Sequence, residues 1–387
     1  MDKFNFSVPP RIKYGPGITA KLGSEVASLL KGTKPKVMIV TDSGVVRAGL
    51  LDGIKKSLAD SGIEHFVFDE IEPNPRDTTV YKGAEKFKNQ KANILVAMGG
   101  GSVMDGAKSI GVIVTCGGTV DQYDGLNLVP GPITPLIAVP TTAGTGSEVT
   151  MFSIITNTKT HYKMGVADRK IIPAVALVDP EMTYSLPRNM TIGTGLAALT
   201  HAIEAYTCNR ANPVSDALAL KAIRLIFEYL PGAAKNGKDA AARNGMMLGS
   251  LIAGLAFGNA DVTGVHCLSE SIGGLYDAPH GMVNGILLPY VMAYNLAGTP
   301  KRFADIAAVV GKEAVPAAAV DAVVELEKSL AIPALADYGV KEADFAKLAS
   351  MSTAHPCTAS NPRPMKDGDY VILLEASLAR KPPRSVS

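Results

Sequence analysis

The stretch ILVAMGGGSVMDGAK, residues 94–108, decides the fold of this chain. An apolar run leads straight into three glycines, then into Ser102 and a helix-like segment. A buried strand that passes through a tight turn into a helix is the repeating step of α/β folds. The stretch therefore predicts one such step of a parallel sheet.

The turn in this stretch has the features of a phosphate-binding loop. Gly99, Gly100 and Gly101 would let the backbone turn tightly and approach an anion. We expect Ser102 to cap the following helix, with Asp105 three residues on, so that free N–H groups and the helix dipole face a pyrophosphate. The motif is not GxGxxG, and three glycines also occur in ordinary strand-to-helix turns, so both interpretations stand at this point.

Similar apolar runs lie on both sides of this stretch and alternate with amphipathic segments from residue 36 to about residue 179. This alternation predicts an α/β domain, a mainly parallel sheet covered by helices. The remaining runs are KVMIV from Lys36, HFVF from His65, PLIAVP from Pro135 and VALVD from Val175.

After Pro180 the pattern becomes helical. Ala- and Leu-rich segments with helical periodicity continue to about Leu378. Breaks are expected at residues 231–232, Gly258, Pro279 and Pro300. We expect a domain boundary near residues 184–187. The predicted parts are an α/β dinucleotide-binding domain over 1–185, an all-helical domain over 186–380 and a disordered tail over 381–387.

Bulk composition narrows the class of protein. The chain has 387 residues, enough for two hydrophobic cores, and a formal net charge of +2 without a basic patch, which argues against nucleic-acid binding. Residues 1–10 lack the pattern of a signal peptide, and the apolar stretch 245–257 is shorter than a membrane span. The four cysteines form no CxxC pair, which argues against a disulfide scaffold and a thiolate zinc site. We expect a cytoplasmic protein with small-molecule partners.

A second polar loop strengthens the nucleotide interpretation. VPTTAGTGSEVT, residues 139–150, follows another apolar run. Its candidate donors are the hydroxyls of Thr141, Thr142, Thr145 and Ser147. Two such loops at strand ends are what a cofactor crevice requires, although a surface turn can have the same composition. Asp42 follows the KVMIV run, where a carboxylate favours NAD over NADP unless it is simply a solvated turn residue.

Histidines in the helical half supply a second set of candidates. His201 lies in a helix-like segment, and His280 stands at a break. His266 and Glu270 are four residues apart and would share one helix face. Imidazoles from separate helices are how a helical bundle builds a divalent metal site, although a single histidine is more often a core or capping residue. No role is assigned to His65, His161 or His355.

The order of several motifs resembles a known family. These motifs are GGGSVMDGAK, PTTAGTGSEVT, KIIPAVALVDPEM, ALTHAIEAY, YDAPHGMVNGILLP and NPRP. Over residues 14–378 the chain is similar to the iron-containing (group III) alcohol dehydrogenases. The resemblance implies a dinucleotide-binding α/β domain and an all-helical domain, the architecture shared with dehydroquinate synthases, with NAD(P) and a divalent metal, iron or zinc, in the cleft between them.

The resemblance also assigns residues to roles. The positions that match the family's cofactor contacts are Asp42, Asn74, Gly101, Ser102, Thr141, Thr142, Thr145 and Lys163. His201, His266 and His280 match three of the family's four metal ligands.

Two positions depart from the family pattern. The fourth ligand in the family is an Asp four residues before the first His, where this chain has Ala197. The family's histidine four residues after the second ligand is Glu270 here. One hypothesis is that Glu270 joins the three histidines as the replacement metal ligand. The alternatives are a site that binds metal weakly or not at all, with Glu270 and a protonated His as the catalytic pair, or a site that has lost activity.

The resulting prediction is an NAD-dependent oxidoreductase that interconverts an alcohol and an aldehyde or ketone by hydride transfer. Its catalytic groups would be His201, His266, His280 and Glu270. The chain would act on a small alcohol or aldehyde as a homodimer or larger homo-oligomer, without nucleic-acid or membrane partners. The rival hypotheses are a dehydroquinate synthase-like lyase that uses NAD and a metal, and an NAD-binding paralogue with a decayed site.

Overall fold

The computed structural model describes residues 3–7, 10–160 and 162–383. The chain separates into two compact units. Residues 10–186 form an α/β unit, and residues 187–383 form a helical unit, with which residues 3–7 are grouped. His161 and residues 384–387 of the predicted tail lie outside the described residues.

The α/β unit is built on a parallel sheet of six strands. The strands of the unit are β1 (Arg11–Tyr14), β2 (Lys36–Val40), β3 (Glu64–Phe68), β4 (Ile94–Gly99), β5 (Gly125–Leu126), β6 (Leu136–Pro140), β7 (Phe152–Thr156), β8 (Lys163–Ala167) and β9 (Val175–Val178). The main sheet has the order β1-β9-β6-β4-β2-β3, and every neighbouring pair is parallel. Each apolar run named from the sequence is one of these strands, so the predicted parallel sheet is confirmed.

Helices cover both faces of this sheet. They are α1 (Leu22–Leu29), α2 (Ser43–Arg47), α3 (Leu51–Asp60), α4 (Asp77–Asn89) and α5 (Gly101–Cys116). Along β4, Leu95 belongs to one hydrophobic core and Val96 to a second one on the opposite face. Because both faces are buried, the strands are continuous apolar runs rather than alternating ones.

The sequence analysis missed the strands with weaker patterns. β1 is short and partly exposed. β7 and β8 pair antiparallel and, with β5, form a separate sheet of three strands. Every second residue of β7 and β8 is only partly buried. Such half-exposed strands lack the long apolar runs that identified the main sheet.

The parallel order places the predicted cofactor residues at one edge of the sheet. β6, β4 and β2 are consecutive neighbours. The loops that leave their carboxyl ends carry Thr141, Gly100 and Asp42, respectively. This edge is where open α/β sheets bind ligands.

The rest of the chain is helical, as predicted. Its helices are α6 (Arg188–Thr207), α7 (Pro213–Lys235), α8 (Ala240–Phe257), α9 (Gly264–Tyr276), α10 (His280–Asn295), α11 (Pro300–Val309), α12 (Pro316–Leu330), α13 (Phe345–Ala354) and α14 (Asp367–Leu378). Gly258 ends α8, Pro279 caps α10 and Pro300 begins α11, at three of the expected breaks. Within residues 187–383 no strand occurs.

The expected break at residues 231–232 is wrong. Pro231 lies inside α7, which continues to Lys235. A proline removes one backbone hydrogen bond from a helix, but tertiary packing can outweigh that cost. Here α7 and α8 approach so closely that a Cβ on Gly245 would collide with the ring of Tyr229. Among the described residues, no helix has the length and hydrophobicity of a membrane span.

Candidate active site

The glycine loop joins β4 to α5. β4 ends at Gly99, Gly100 is the N-cap with φ −80° and ψ −170°, and α5 begins at Gly101. The expected N-cap at Ser102 is therefore wrong, because the helix starts one residue before it. A glycine cap has no side chain to accept from the first-turn N–H groups, so these groups remain available to an anion such as phosphate.

The loop after β6, residues 141–150, is the threonine loop, and it packs directly on the glycine loop. A Cβ on Gly101 would lie 2.6 Å from Cγ2 and 3.0 Å from Oγ1 of Thr145. The Thr141 N–H donates to the Gly99 carbonyl at 3.0 Å. The predicted cofactor residues on these two adjoining loops are Gly99, Gly100, Gly101, Ser102, Thr141, Thr142 and Thr145. The α/β unit thus brings both loops into one surface that can surround a phosphate group.

Asp105 and Ser147, both predicted to bind the cofactor, bond to each other. The Ser147 hydroxyl donates to Asp105 Oδ1 at 2.7 Å, and Asp105 Oδ2 accepts from the Ile154 N–H at 3.1 Å. These bonds tie the end of the threonine loop and the start of β7 to α5. A direct contact of either residue with the cofactor stays a prediction.

A buried lysine, missed in the sequence, completes this network. Lys108 is fully buried. Its Nζ donates to Ser147 Oγ at 2.8 Å, to the Thr150 carbonyl at 3.0 Å and to the Phe152 carbonyl at 2.7 Å. Burial lowers the pKa of Lys108 to about 8. The available signal was its position four residues after Met104, on the apolar face of α5.

Glu148 is a second buried charge of the same region. It lies in the 3₁₀ turn Ser147–Val149 and is 2% exposed. Burial raises the pKa of Glu148 to about 7, although the charge on Lys108 opposes the shift. The threonine loop therefore rests on groups that titrate near neutral pH.

Asp42 caps α2. Its Oδ1 accepts from the N–H groups of Gly44 at 2.7 Å and Val45 at 2.9 Å. The cap uses one carboxylate oxygen, so Oδ2 would accept from a ribose hydroxyl. The capping role alone explains an Asp at this position after β2, so the ribose contact stays a prediction.

Asn74 and Lys163, which were selected by resemblance alone, lie in contact. Lys163 Nζ donates to Asn74 Oδ1 at 3.1 Å. Asn74 has the left-handed φ of 51°, which Asn tolerates better than most residues. These two residues join the loop after β3 to β8.

The helical unit brings His201, His266 and His280 together. The ring centroids of His201 and His266 are 4.6 Å apart, and those of His266 and His280 are 5.3 Å apart. The His201 ring also stacks on Phe257 at 4.2 Å. Three helices, α6, α9 and α10, thus each contribute one imidazole to a largely buried cluster.

Glu204, which the sequence analysis did not select, orients this cluster. Its Oε2 lies 2.5 Å from His266 Nδ1. Its Oε1 accepts from the Thr263 hydroxyl at 2.6 Å and from the Val265 N–H at 2.8 Å. Because an ionised carboxylate only accepts, His266 carries its proton on Nδ1 and presents the Nε2 lone pair to the cluster. The available signal was a Glu three residues after His201 on α6.

Asn284 also contacts the cluster and was not selected. It is fully buried on α10, four residues after His280. Its Nδ2 lies 3.1 Å from His280 Nε2 and 3.3 Å from His266 Nε2. His280 Nδ1 lies 3.3 Å from Ser269 Oγ. An amide therefore stands between two imidazole nitrogens.

Glu270 pairs with His355, to which the sequence analysis gave no role. Glu270 Oε2 lies 2.9 Å from His355 Nε2. Burial works against the ionised carboxyl, but the hydrogen bond from His355 and the charge on that ring lower the pKa of Glu270 to about 2. Burial also opposes the charged form of His355, yet contacts with Cys267, Cys357 and Glu270 raise the pKa of this imidazole. His355 therefore has a role that the sequence analysis did not assign to it. The pairing could not be found from the sequence because the two partners lie 85 positions apart.

The family's metal can be tested against these side chains. Ala197, one turn before His201, is buried and offers no ligand atom. Within residues 3–7, 10–160 and 162–383, no three His, Cys, Asp or Glu side chains are arranged to hold a metal ion. The donor nearest to two of the imidazoles is the amide of Asn284. With Ala197 in place of the family's Asp and Glu270 paired with His355, the described residues do not form a complete set of ligands for a divalent metal.

Comparison with known proteins agrees with this architecture. Residues 9–180 match the model of iron-containing alcohol dehydrogenases, and residues 191–378 match the C-terminal model of the Fe-containing alcohol dehydrogenase family. The chain is 41% identical to an NAD-dependent methanol dehydrogenase of Bacillus methanolicus, over 97% of this chain and 100% of the relative. It is 42% identical to a 1,3-propanediol dehydrogenase of Citrobacter freundii, over 93% of this chain and 95% of the relative.

A solved structure shows the same fold. The crystal structure of a 1,3-propanediol oxidoreductase superposes with a TM-score of 0.93 at 40% identity, covering 97% of this chain and 100% of that one. Fold and matched models together define an oxidoreductase. The chain belongs to the iron-containing alcohol dehydrogenase family. These comparisons give no support to the lyase hypothesis.

Proposed function

We propose that the chain is an NAD-dependent alcohol dehydrogenase that interconverts a small alcohol and its aldehyde or ketone. Relatives at about 40% identity carry the names of methanol and 1,3-propanediol dehydrogenases, and both span nearly the whole chain. The observation that carries the proposal is the contact between the glycine loop and the threonine loop at Gly101 and Thr145. The two loops in contact would form an anion-binding surface at the carboxyl edge of a parallel sheet.

NAD would bind to the α/β unit through a set of direct contacts. The first-turn N–H groups of α5 would face the pyrophosphate, and the threonine hydroxyls would donate to it. Asn74 and Lys163 would contribute a polar amide and a cation. Oδ2 of Asp42 would accept from a ribose hydroxyl and repel a 2′-phosphate, which supports NAD over NADP.

Substrate would bind at the histidine cluster. When bound, NAD⁺ supplies the hydride acceptor. His201, His266 and His280 would face the substrate oxygen, and a cationic His beside Glu270 would polarise it. Glu204 keeps the Nε2 lone pair of His266 directed into the cluster.

Glu270 and His355 would handle the proton of the substrate hydroxyl. Their side chains are 23% and 22% exposed, so the pair is in contact with both the buried helices and solvent. The carboxylate oxygen of Glu270 that His355 does not contact would accept the proton and pass it to water, while His355 holds the carboxylate in place. In the reverse direction the same pair would supply it.

Assembly and location complete the proposal. Most soluble oligomers are built from identical subunits, and the chain would form a homodimer or larger homo-oligomer. Four free cysteines support a cytoplasmic location. Both stay predictions.

The test is product formation with NAD⁺ and a panel of short primary alcohols and diols. We expect reduced nicotinamide and carbonyl product to accumulate in equal amounts, and NADP⁺ to react more slowly than NAD⁺. Binding of NAD⁺ without turnover across the panel would instead identify a paralogue with a decayed site. Adding metal to chelator-treated protein then shows whether turnover depends on a cation.

A further inference from the structure

The threonine loop is held on the α/β unit at both of its ends. At its start, the Thr141 N–H donates to the Gly99 carbonyl at 3.0 Å. At its end, where the loop leads into β7, side chains of α5 bind it. The position of this end therefore depends on a few residues of α5.

Lys108 binds this end at three points. Its Nζ donates to Ser147 Oγ at 2.8 Å, to the Thr150 carbonyl at 3.0 Å and to the Phe152 carbonyl at 2.7 Å. An ammonium group has three protons, so all of them are used within the protein. Burial lowers the pKa of Lys108 to about 8, which still leaves it largely protonated at neutral pH. Lys108 therefore holds the loop and has no proton left to donate to a nucleotide.

Asp105, three residues before Lys108 on α5, binds the same segment. The Ser147 hydroxyl donates its proton to Asp105 Oδ1 at 2.7 Å, and its oxygen accepts from Lys108. Asp105 Oδ2 accepts from the Ile154 N–H at 3.1 Å, and the Asp105 carbonyl accepts from the Ser153 hydroxyl at 2.7 Å. With its proton on Asp105, Ser147 has none to donate to a phosphate. Lys108, Ser147 and Asp105 thus form one connected support for the end of the loop.

We propose that Lys108 is a positioning residue for NAD, which fixes the threonine loop against α5 through Ser147 and does not touch the cofactor itself. The proposal rests on the proposed function, in which the threonine hydroxyls of this loop donate to the pyrophosphate. The apparent affinity for a ligand falls with the fraction of chains that keep the binding conformation. Because the loop would contact the nucleotide and not the alcohol, its displacement should weaken NAD⁺ binding and leave the turnover of bound substrate unchanged.

The test compares Lys108→Met with the wild-type full chain by calorimetric titration with NAD⁺ and by steady-state kinetics with an alcohol. Methionine is also long and unbranched, and it removes all three hydrogen bonds. We expect Kd and KM for NAD⁺ to rise by about 10- to 100-fold, the usual effect of losing hydrogen bonds to a charged group. The kcat at saturating NAD⁺ and the KM for the alcohol should equal those of the wild type. A residue that only stabilised the fold would lower thermal stability without separating these constants.

The matched control is Lys86→Met on α4. Lys86 Nζ donates to the Val67 carbonyl at 2.9 Å, so this variant also loses a hydrogen bond from a lysine to a backbone carbonyl of the same unit. Its Kd for NAD⁺ should equal that of the wild type. A wild-type Kd in Lys108→Met would overturn the proposal.

Ser147→Ala is a smaller change that tests the same support if Lys108→Met does not fold. It removes the link between Lys108 and Asp105, so we expect the Kd for NAD⁺ to rise by about 10-fold, and an unchanged Kd would overturn the proposal. In the double variant the two effects should not add, because both substitutions break one connected set of contacts. If the wild type binds NAD⁺ and these variants bind it equally well, only the role of Lys108 is refuted. A wild-type chain that binds no NAD⁺ would refute the proposed function as well.

Discussion

Glu270 occupies a position where the family carries a histidine, and its contact with His355 gives this substitution a physical meaning. A carboxylate and an imidazole at 2.9 Å form an acid–base pair built from residues of α9 and of the chain after α13. The partly exposed pair is suited to moving a proton between a buried site and solvent.

We predict that Glu270→Gln lowers kcat for alcohol oxidation by about 100-fold or more, the usual contribution of a positioned acid–base group. The amide keeps the shape of the side chain and removes its charge. NAD⁺ affinity should not change, because the substitution lies in the helical unit. Steady-state kinetics together with NAD⁺ titration measures both quantities.

The control for Glu270→Gln is Glu325→Gln in the same unit. Glu325 forms an exposed ion pair with Lys312 at 2.6 Å, a type of pair that contributes little. Its kinetics should equal those of the wild type. A Glu270→Gln variant with wild-type kcat would exclude this pair from proton transfer.

At the residue scale, the sequence predicts site residues that belong to a local pattern, but not residues whose partner lies far away in the chain. The three clustered histidines could be selected because histidine is rare and all three fall in the early part of the helical half. His355 could not, since its partner is remote in the chain. Glu204 and Asn284 are ordinary polar residues of helices until the fold brings them against His266.

Among the elements, the contact between the glycine loop and the threonine loop can be tested by adding one methyl group. Gly101→Ala would place a Cβ 2.6 Å from Thr145 Cγ2, which forces the two loops apart. Overpacking of this kind costs about 1–3 kcal/mol, so we expect the KM for NAD⁺ to rise about 10-fold or more.

Gly53→Ala on α3 is the matched control for this substitution. A Cβ on Gly53 meets no atom within 4 Å, and alanine favours a helix more than glycine does. Its KM for NAD⁺ should equal that of the wild type. An unchanged KM in Gly101→Ala would show that the cofactor does not use the surface formed by these loops.

Buried Glu148, in the 3₁₀ turn at the end of the threonine loop, should make the stability of the protein depend on pH. The pKa of buried Glu148 is about 7 in the folded chain, above its ordinary value of 4.5. Between these values the folded state keeps a proton that the unfolded chain has lost. The contribution of Glu148 to the free energy of unfolding is therefore complete below about pH 4.5 and is lost as the pH rises through about 7, with an upper bound of about 3 kcal/mol.

Glu148→Gln should remove this dependence. In urea unfolding, we expect the wild type to lose more stability than the variant between about pH 5 and about pH 8. Glu85→Gln, an exposed carboxylate of α4, is the control and should follow the wild type. Equal slopes for the wild type and Glu148→Gln would show that Glu148 does not titrate in this range.

Elements were predictable in proportion to how completely they are buried. Strands buried on both faces are apolar throughout, so β2, β4, β6 and β9 could be read from the sequence. The N-cap of α5 was misplaced by two residues, from Gly100 to Ser102, because serine is a more common cap than glycine. Packing between helices, which the sequence does not display, kept Pro231 within α7.

The predicted ligands bind to different units of the molecule. Hydrogen exchange of the intact chain can detect the binding of each ligand. NAD⁺ at about 100 times its Kd should stabilise the binding-competent form by about 2.7 kcal/mol and slow exchange by about 100-fold at amides that open only without ligand. We expect this protection in residues 99–105 and 141–150. A substrate alcohol added with NAD⁺ should protect residues 264–270 and 280–288, and neither ligand should protect the middle of α7. A nucleotide that occupied the two loops would slow the exchange of their amides. If NAD⁺ protected other residues and left these loops unchanged, the cofactor would therefore bind away from the sheet edge.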